Sequence, residues 1–487
     1  MKLNELLKGL AKNAVDLDIT GLALDSRKAR VGDAFIAVRG ANRHGMDYAG
    51  QAIANGAKAV VYDPEGMNFE FCPHSGVVYV AVPELDRHLG AMAAVFFGNP
   101  AGQLAVIGIT GTNGKTTCSQ LIAQVLPDCG VIGTLGWGEP GNLTPTINTT
   151  PDAVAIQNML KQFVEQKKHA VAMEVSSHGL RQGRVNAIDF RGAVFTNLSR
   201  DHLDYHGGMD EYFQAKLGLF TNPALRFAVV NLDDPSGLAV LNELADGVQR
   251  WTYSVKGETV AGSESIVAAN IRHDAEGIHF DVEWRARKCR AFTPIIGAFN
   301  LENVLAVLGV LLAMDIPFSD AVARLAQLKA IVGRMEKFGG QDKPTVFVDY
   351  AHSPDALEKV LKAVKGGGRL WVVFGCGGNR DKGKRAEMGR IAEALADQVI
   401  ITDDNPRGEP AAEIIKDILA GCHSRKITVI NDRTLAISTA IQQAAKHDCV
   451  MISGKGHETY QEINGVKLPF SDRDVVKQSL AVWGDVK

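Results

Sequence analysis

The feature that most constrains this 487-residue chain is a strand, a glycine turn and a helix in immediate succession near residue 110. The apolar run Leu104–Ile109 reads as a buried strand. It leads into Thr110-Gly111-Thr112-Asn113-Gly114-Lys115-Thr116-Thr117. Small residues there let backbone N–H groups curl around phosphate oxygens, and the helix that follows adds its positive end. In such a loop Lys115 reaches the β- and γ-phosphates and the Thr116 hydroxyl holds Mg²⁺. The first glycine of the usual G-x-x-x-x-G-K-[ST] pattern falls on Ile109, so this loop is a variant of the standard form.

Strands and helical stretches alternate along the rest of the chain, which implies mostly parallel sheets covered on both faces. Three blocks are expected. Residues 1–88 form a smaller N-terminal α/β domain, with strands Ala34–Val38, Ala59–Tyr62 and Val77–Val82 and a helix near Tyr48–Asn55. Residues 89–335 form a central domain with a P-loop-type, mostly parallel sheet. Its strands include Ala170–Glu174, Gly192–Thr196 and Phe227–Asn231, and the helix Leu301–Met314 closes it. Residues 336–487 form a C-terminal, doubly wound, Rossmann-like sheet, with strands Thr345–Val348, Leu370–Phe374, Gln398–Thr402, Lys426–Ile430 and Cys449–Ser453.

Composition narrows the class. A formal net charge of −3 gives no reason to expect a nucleic-acid or acidic-membrane partner. Seven cysteines are scattered without a C-x-x-C pair, which argues against a disulfide framework or structural zinc and fits a reducing cytoplasm. The longest apolar stretch is about half the ~20 residues a membrane helix needs. A soluble monomer acting on small molecules is the expectation.

Further motifs follow in order. Met173-Glu174-Val175-Ser176-Ser177-His178-Gly179-Leu180 and Asn197-Leu198-Ser199-Arg200-Asp201-His202-Leu203-Asp204-Tyr205-His206 each follow a strand. Then come Gly297-Ala298-Phe299-Asn300-Leu301-Glu302-Asn303, Gly333-Arg334-Met335-Glu336 and Val348-Asp349-Tyr350-Ala351-His352-Ser353-Pro354. With the variant loop, this series resembles the Mur ligases over residues from about 20 to 475. The loop alone also resembles the folylpolyglutamate synthetases, which generally lack the N-terminal domain.

The resemblance implies amide-bond synthesis driven by ATP. A carboxylate is phosphorylated to an acyl phosphate, which an amine then attacks; both steps gather negative oxygens that cations must neutralise. It implies that Gly111, Thr112, Asn113, Gly114, Lys115, Thr116 and Thr117 cradle ATP. Asn303 would read the adenine edge, Arg334 contact phosphate and Asp349 bond the ribose, while His352 has a structural reading as well. Glu174 and His202 would ligate Mg²⁺ beside Thr116; a buried Glu174 is otherwise hard to account for. Lys216 would carry a carbamate holding a second Mg²⁺, although a lone lysine among apolar residues usually snorkels to water. Lys115, Lys216, His202 and Glu174 are the catalytic candidates.

The acceptor implied is UDP-N-acetylmuramoyl-L-alanyl-D-glutamate. Leu24, Ser26, Ala41, Asn42 and Arg43 would touch its uridine and diphosphate. Asn148, Thr149 and Thr150 would meet sugar and peptide oxygens, and Ser176, Gln182 and Arg184 the dipeptide. Ser, Thr and Asn in turns are common, so each of these positions also has a plain turn reading. Asp404-Asn405-Pro406-Arg407 matches the family members that select meso-diaminopimelate. An arginine fork binds a carboxylate through two parallel hydrogen bonds, and lysine, lacking that carboxylate, would leave it unpaired. Arg380 would bind the other carboxylate, and Gly454 and Glu458 the far ammonium region. Asn379 stands where members often carry Asp. The rivals are a lysine-adding Mur ligase, a folylpolyglutamate synthetase-like ligase, and a P-loop ATPase switch. A Rossmann oxidoreductase is prompted only by Phe374-Gly375-Cys376-Gly377-Gly378.

Overall fold

Strands with two buried faces place alternate residues in different cores, and the C-terminal sheet shows this residue by residue. In the computed structural model, Phe347, Leu370, Val372, Phe374, Val399, Ile401 and Met451 pack against the helices Pro354–Val364, Gly383–Leu395 and Ala411–Leu419. Their neighbours Val346, Val348, Trp371, Val373, Ile400, Val450 and Ile452 pack on the other face, against Arg433–Gln443 and Asp472–Ala481. The structure describes all residues except 12–14, 41–42, 67–73, 75, 275, 425–426 and 485–487.

The described residues fall into two compact units. The first comprises Met1–Gly108, Leu126–Ala193 and Thr221–Arg226, and the second Ile109–Val125, Val194–Phe220 and Phe227–Lys487. In the first unit, Leu22–Ala23, Ala34–Ala37, Ala59–Tyr62 and Val78–Ala81 pair in sequence order, all parallel. Its sheet also divides two cores: Ala34, Ile36, Ala59 and Val61 face Leu3, Leu6 and Leu85. Phe35, Ala37 and Val60 face Met46, Ala49 and Ala52. The expected helix near residue 50 is a 3₁₀ turn Gly45–Tyr48 followed by an α-helix Ala49–Ala54. The same unit contains the parallel pair Cys129–Gly133 and Ala170–Glu174, and the antiparallel strands Gly136–Glu139 and Asn142–Thr144, which the sequence reading did not name.

In the second unit, Phe227–Asn231, Gln249–Ser254 and Glu264–His273 run parallel. Ile278–Trp284 and Arg287–Thr293 extend them as an antiparallel meander, also absent from the sequence reading. The helix Ala298–Ala313 covers these strands. Gly309 lets it approach closely, because a Cβ there would lie 2.7 Å from Val229. The C-terminal sheet of this unit has the parallel order Thr345–Asp349, Cys449–Ser453, Leu370–Phe374, Gln398–Ile401, Ile427–Val429, with Glu336–Gly339 antiparallel at its edge. Among the described residues no helix is long and apolar enough to cross a membrane.

Candidate active site

The strand Ala105–Thr110 ends one residue later than expected, and the helix Lys115–Val125 begins at the lysine, so Gly111–Gly114 make the whole turn. Gly111 has φ +149, and a Cβ on it would sit 1.9 Å from Thr196 Oγ1. Gly114 has φ +87, and its Cβ would meet Asn303 Oδ1 at 2.5 Å. Only glycine fits either position. The loop is braced from outside. Thr196 Oγ1 donates to Asn113 O at 2.6 Å, and Asn113 N–H donates to Asn197 Oδ1 at 2.9 Å. Ser199 N–H donates to Thr112 Oγ1 at 2.9 Å.

Lys115 Nζ folds back to donate to Gly111 O and Thr112 O, both at 2.8 Å. Lys216 lies on the helix Met209–Leu217 and does not snorkel: it is 1 % exposed. Its Nζ donates to Gly111 O at 2.8 Å and sits 4.3 Å from the Tyr212 ring centre. Burial, and then the charge of Lys115, push its pKa well below that of an ordinary lysine.

Around the loop, Arg334 Nη2 donates to Thr116 Oγ1 at 3.3 Å and its guanidinium lies 4.5 Å over the Tyr350 ring. Asn113 Nδ2 donates to Asp355 Oδ2 at 2.9 Å, at the start of the helix Pro354–Val364. His202, at φ +57, has Nε2 3.6 Å from Asp201 Oδ2, and His352 Nε2 lies 3.7 Å from the same oxygen. Desolvation alone would raise the pKa of Asp201. The hydrogen bond from His352 and the charges of His352, His202 and Lys384 outweigh it and hold the carboxyl well below the usual range.

A cleft of about 300 Å³ beside the loop is lined by Thr117, Ile295, Ile296, Asn300, Ile331 and Arg334, among others. Asn300 was not singled out from sequence. It lines this cleft, whereas Asn303 points under Gly114 and donates from Nδ2 to Asn300 Oδ1 at 2.9 Å. The carboxylate of Asp349 accepts from Met335 N–H at 2.7 Å and Ala351 N–H at 2.8 Å, bracing the segment that carries Arg334. Burial, only partly offset by Arg334, raises its pKa.

A second cluster occupies the carboxyl ends of the C-terminal strands, where open α/β sheets place ligands. Asn405 Oδ1 accepts from Lys455 Nζ at 2.9 Å, and Asn405 Nδ2 donates to Glu458 Oε2 at 2.9 Å. Lys455 is fully buried and also donates to Glu458 Oε2 at 2.8 Å. Arg407 Nη1 donates to Gly378 O at 2.9 Å. Asp404 packs against Gly454, whose Cβ would lie 2.5 Å from Asp404 Oδ2. Pro406 O would meet a Cβ on Gly378 at 1.9 Å, and Thr402 O one on Gly375 at 2.1 Å. Gly375 and Gly378 therefore permit close backbone packing after Phe374. Arg380 is exposed and donates to Asn379 O. Asn379, at φ +54, accepts from Gly408 N–H through Oδ1 at 3.2 Å, a role that Asp could equally fill.

The first unit contains its own polar group. Glu174 is fully buried but not orphaned, since Thr134 N–H donates to Oε1 at 2.8 Å and Thr134 Oγ1 to Oε2 at 3.0 Å. Ser176 Oγ caps the helix Ser177–Arg181 and lies 3.1 Å from Thr150 Oγ1. Arg184 Nη1 donates to Thr150 O and Nη2 to Gln182 Oε1, both at 2.6 Å. Thr149 Oγ1 lies 3.0 Å from Thr134 Oγ1, and Asn148 is exposed. Ser26 is buried, with Oγ donating to Gln51 Oε1 at 2.7 Å, and Leu24 packs against the first core. Arg43 O accepts from Gly40 N–H at 3.1 Å. Ala41 and Asn42 lie outside the described residues.

A glycine-turned loop of phosphate-binding form, in the same unit as a doubly wound sheet with a charged cluster at its strand ends, is the architecture of a nucleotide-using α/β enzyme. Known proteins narrow that class. Residues 18–97, 109–311 and 333–456 match, in order, the Mur ligase family catalytic domain, the Mur ligase middle domain and the Mur ligase glutamate ligase domain. The chain is 47% identical to the UDP-N-acetylmuramoyl-L-alanyl-D-glutamate--2,6-diaminopimelate ligase of Pseudomonas aeruginosa, with 99% of each covered. It is 44% identical to that of Coxiella burnetii, covering 96% of this chain and 98% of the relative. A solved structure of a ligase with the same name superposes with a TM-score of 0.68 at 35% identity, over 99% of both chains. A MurF ligase from Thermotoga maritima in complex with ADP shares the fold, with a TM-score of 0.65 at 19% identity over 96% of this chain and 98% of that one. The chain belongs to the Mur ligase family.

Proposed function

We propose that the protein is an ATP-dependent ligase that joins meso-2,6-diaminopimelate to the D-glutamate of UDP-N-acetylmuramoyl-L-alanyl-D-glutamate, in peptidoglycan precursor synthesis. The observation that carries the choice of amino acid is Arg407, held at the strand ends among Asp404, Asn405 and Glu458. A carboxylate oxygen of the acceptor attacks the γ-phosphorus of ATP and ADP departs. The amine of diaminopimelate then attacks the acyl carbon, phosphate leaves with the C–O electron pair, and the amine loses a proton.

Gly111–Thr117 hold the phosphates, with Lys115 turning from the loop carbonyls to the β- and γ-oxygens. Arg334 neutralises charge beside Thr116, and the purine occupies the cleft lined by Asn300 and Ile296. Asn303 is assigned to the adenine edge and Asp349 to the ribose hydroxyls; Asn303 also donates to Asn300, and Asp349 braces the segment that carries Arg334. Among the described residues no group of three His, Cys, Asp or Glu side chains could hold a metal ion beside Thr116, where Arg334 donates to the hydroxyl and Lys115 and Lys216 both donate to Gly111 O. A metal there fits only with the nucleotide phosphates and with Lys216 as a carbamate, which its depressed pKa favours. Thr116, His202, Glu174 and carbamylated Lys216 are the proposed Mg²⁺ ligands, and bound Mg²⁺ would supply charge neutralisation at the transferring phosphoryl group.

Leu24, Ser26, Ala41, Asn42, Arg43, Asn148, Thr149, Thr150, Ser176, Gln182 and Arg184 are assigned to the acceptor. Arg380, Pro406 and Gly454 join the diaminopimelate site. Three domains, at 1–88, 89–335 and 336–487, a monomer, and a cytoplasmic location complete the reading.

The test is phosphate release from ATP with the UDP-linked dipeptide, Mg²⁺ and either meso-diaminopimelate or L-lysine. Release that needs the dipeptide and strongly prefers diaminopimelate, with a tripeptide product by mass, is expected. A preference for lysine would remove the role given to Arg407, and release indifferent to both substrates would indicate an ATPase switch.

A further inference from the structure

The hairpin Tyr460–Ile463 and Val466–Pro469 has no place in the reaction described above, yet it grips the segment 404–407 along its length. Gln461 Nε2 donates to Asp404 O at 2.8 Å, and Glu462 N–H donates to Asn405 Oδ1 at 2.9 Å. Arg407 N–H donates to Glu462 O at 2.9 Å and Asn464 N–H donates to Arg407 O at 2.6 Å, so the hairpin clamps the arginine's main chain from both sides. Arg407 has φ +52, a conformation that a residue with a side chain keeps only where its surroundings enforce it.

The side chain is held as well. Glu462 Oε2 lies 3.4 Å from Arg407 Nε, while Nη1 is spent on Gly378 O at 2.9 Å. Gly377 leaves room for this, since a Cβ on it would sit 2.7 Å from Nη1. The guanidinium plane is therefore held at two points, and among the described residues Nη2 makes no hydrogen bond to protein. Glu462 takes the Nε edge, so a substrate carboxylate arriving at the Nη2 end does not compete with it. Both side chains are about three-quarters buried, at 22% and 25% exposure, where a charge pair holds its geometry better than on an open surface.

We infer that Glu462 is a positioning residue for the amino-acid site: its carboxylate and main chain aim Arg407 at the far carboxylate of the incoming amino acid. This rests on the diaminopimelate site proposed above. The experiment is steady-state kinetics on the parent enzyme, Glu462→Ala and Glu462→Gln, with melting temperatures measured alongside. Loss of this partly buried ion pair should raise KM for diaminopimelate roughly tenfold in Glu462→Ala. The preference over lysine should fall by a similar factor, with kcat and KM for ATP within about twofold of the parent. Glu462→Gln keeps an acceptor and should rise only about threefold, and it carries the test should the alanine variant fail to fold.

An unchanged KM for diaminopimelate in the variants overturns the inference. So does a parallel loss in kcat, both other KM values and melting temperature, the mark of a merely structural residue. A parent enzyme that does not use diaminopimelate at all overturns the substrate assignment itself, and is recognised before any variant is measured.

Discussion

Replacing Lys216 by methionine should make the protein more stable and nearly inactive at once. In the structure a lysine that is 1 % exposed donates to one loop carbonyl and faces a second lysine. Burial and then the charge of Lys115 disfavour its charged form, and holding an incompletely hydrogen-bonded amine away from water costs roughly 2–4 kcal/mol. Methionine removes that penalty and fills similar volume, while losing a hydrogen bond worth about 1 kcal/mol. A net gain of roughly 1–3 kcal/mol follows, or about 2–5 °C for a cooperative unit of about 300 residues.

The sign with pH is definite. Because the folded pKa is lowered, the unfolded chain binds more protons between that value and 10.5, so parent stability rises with pH across this window. The advantage of the methionine variant should therefore shrink as pH climbs from about 7 toward 10. Calorimetry in CO₂-free buffer reads the stability, and phosphate release with added short carboxylic acids reads the function. A variant that melts lower at every pH, or turns over normally, would refute the reasoning.

Arg433 and Asp472 form a fully buried pair at 2.7 Å, with Arg433 also donating to Ser453 O just before Gly454. Asp472→Asn strands the guanidinium and should cost about 3–5 kcal/mol, seen as a lower urea midpoint. Gly114→Ala should weaken ATP binding at least about tenfold by calorimetry, because φ +87 and Asn303 Oδ1 at 2.5 Å leave no room for a methyl group. Burial pushes the thiols of Cys129, Cys376 and Cys449 up to about 12, so none should react with a thiol reagent at neutral pH until the protein is unfolded.

Local chemistry was enough to read the phosphate loop, because a strand, two obligatory glycines, a lysine and a helix follow one another between residues 105 and 125 and each needs only its neighbours. The parallel strands were legible for the same reason: Leu370–Phe374 and residues 449–452 are unbroken apolar runs with turn residues on either side. The meander 264–293 was not, since its burial alternates irregularly among charged residues and only pairing across strands makes it a sheet.

Sequence by itself determined which residue types are available for phosphate, carboxylate and amine chemistry, and in what order. The tertiary structure alone decided that Lys216 is buried against Gly111, that Asn300 rather than Asn303 lines the cleft, and that Asp349 braces the backbone carrying Arg334. It also decided that Glu462 holds Arg407 from a hairpin 55 positions further along the chain. The reason is physical. Burial and electrostatic pairing depend on distance in space, and residues 105 or 55 positions apart become neighbours only when separate strands and helices pack.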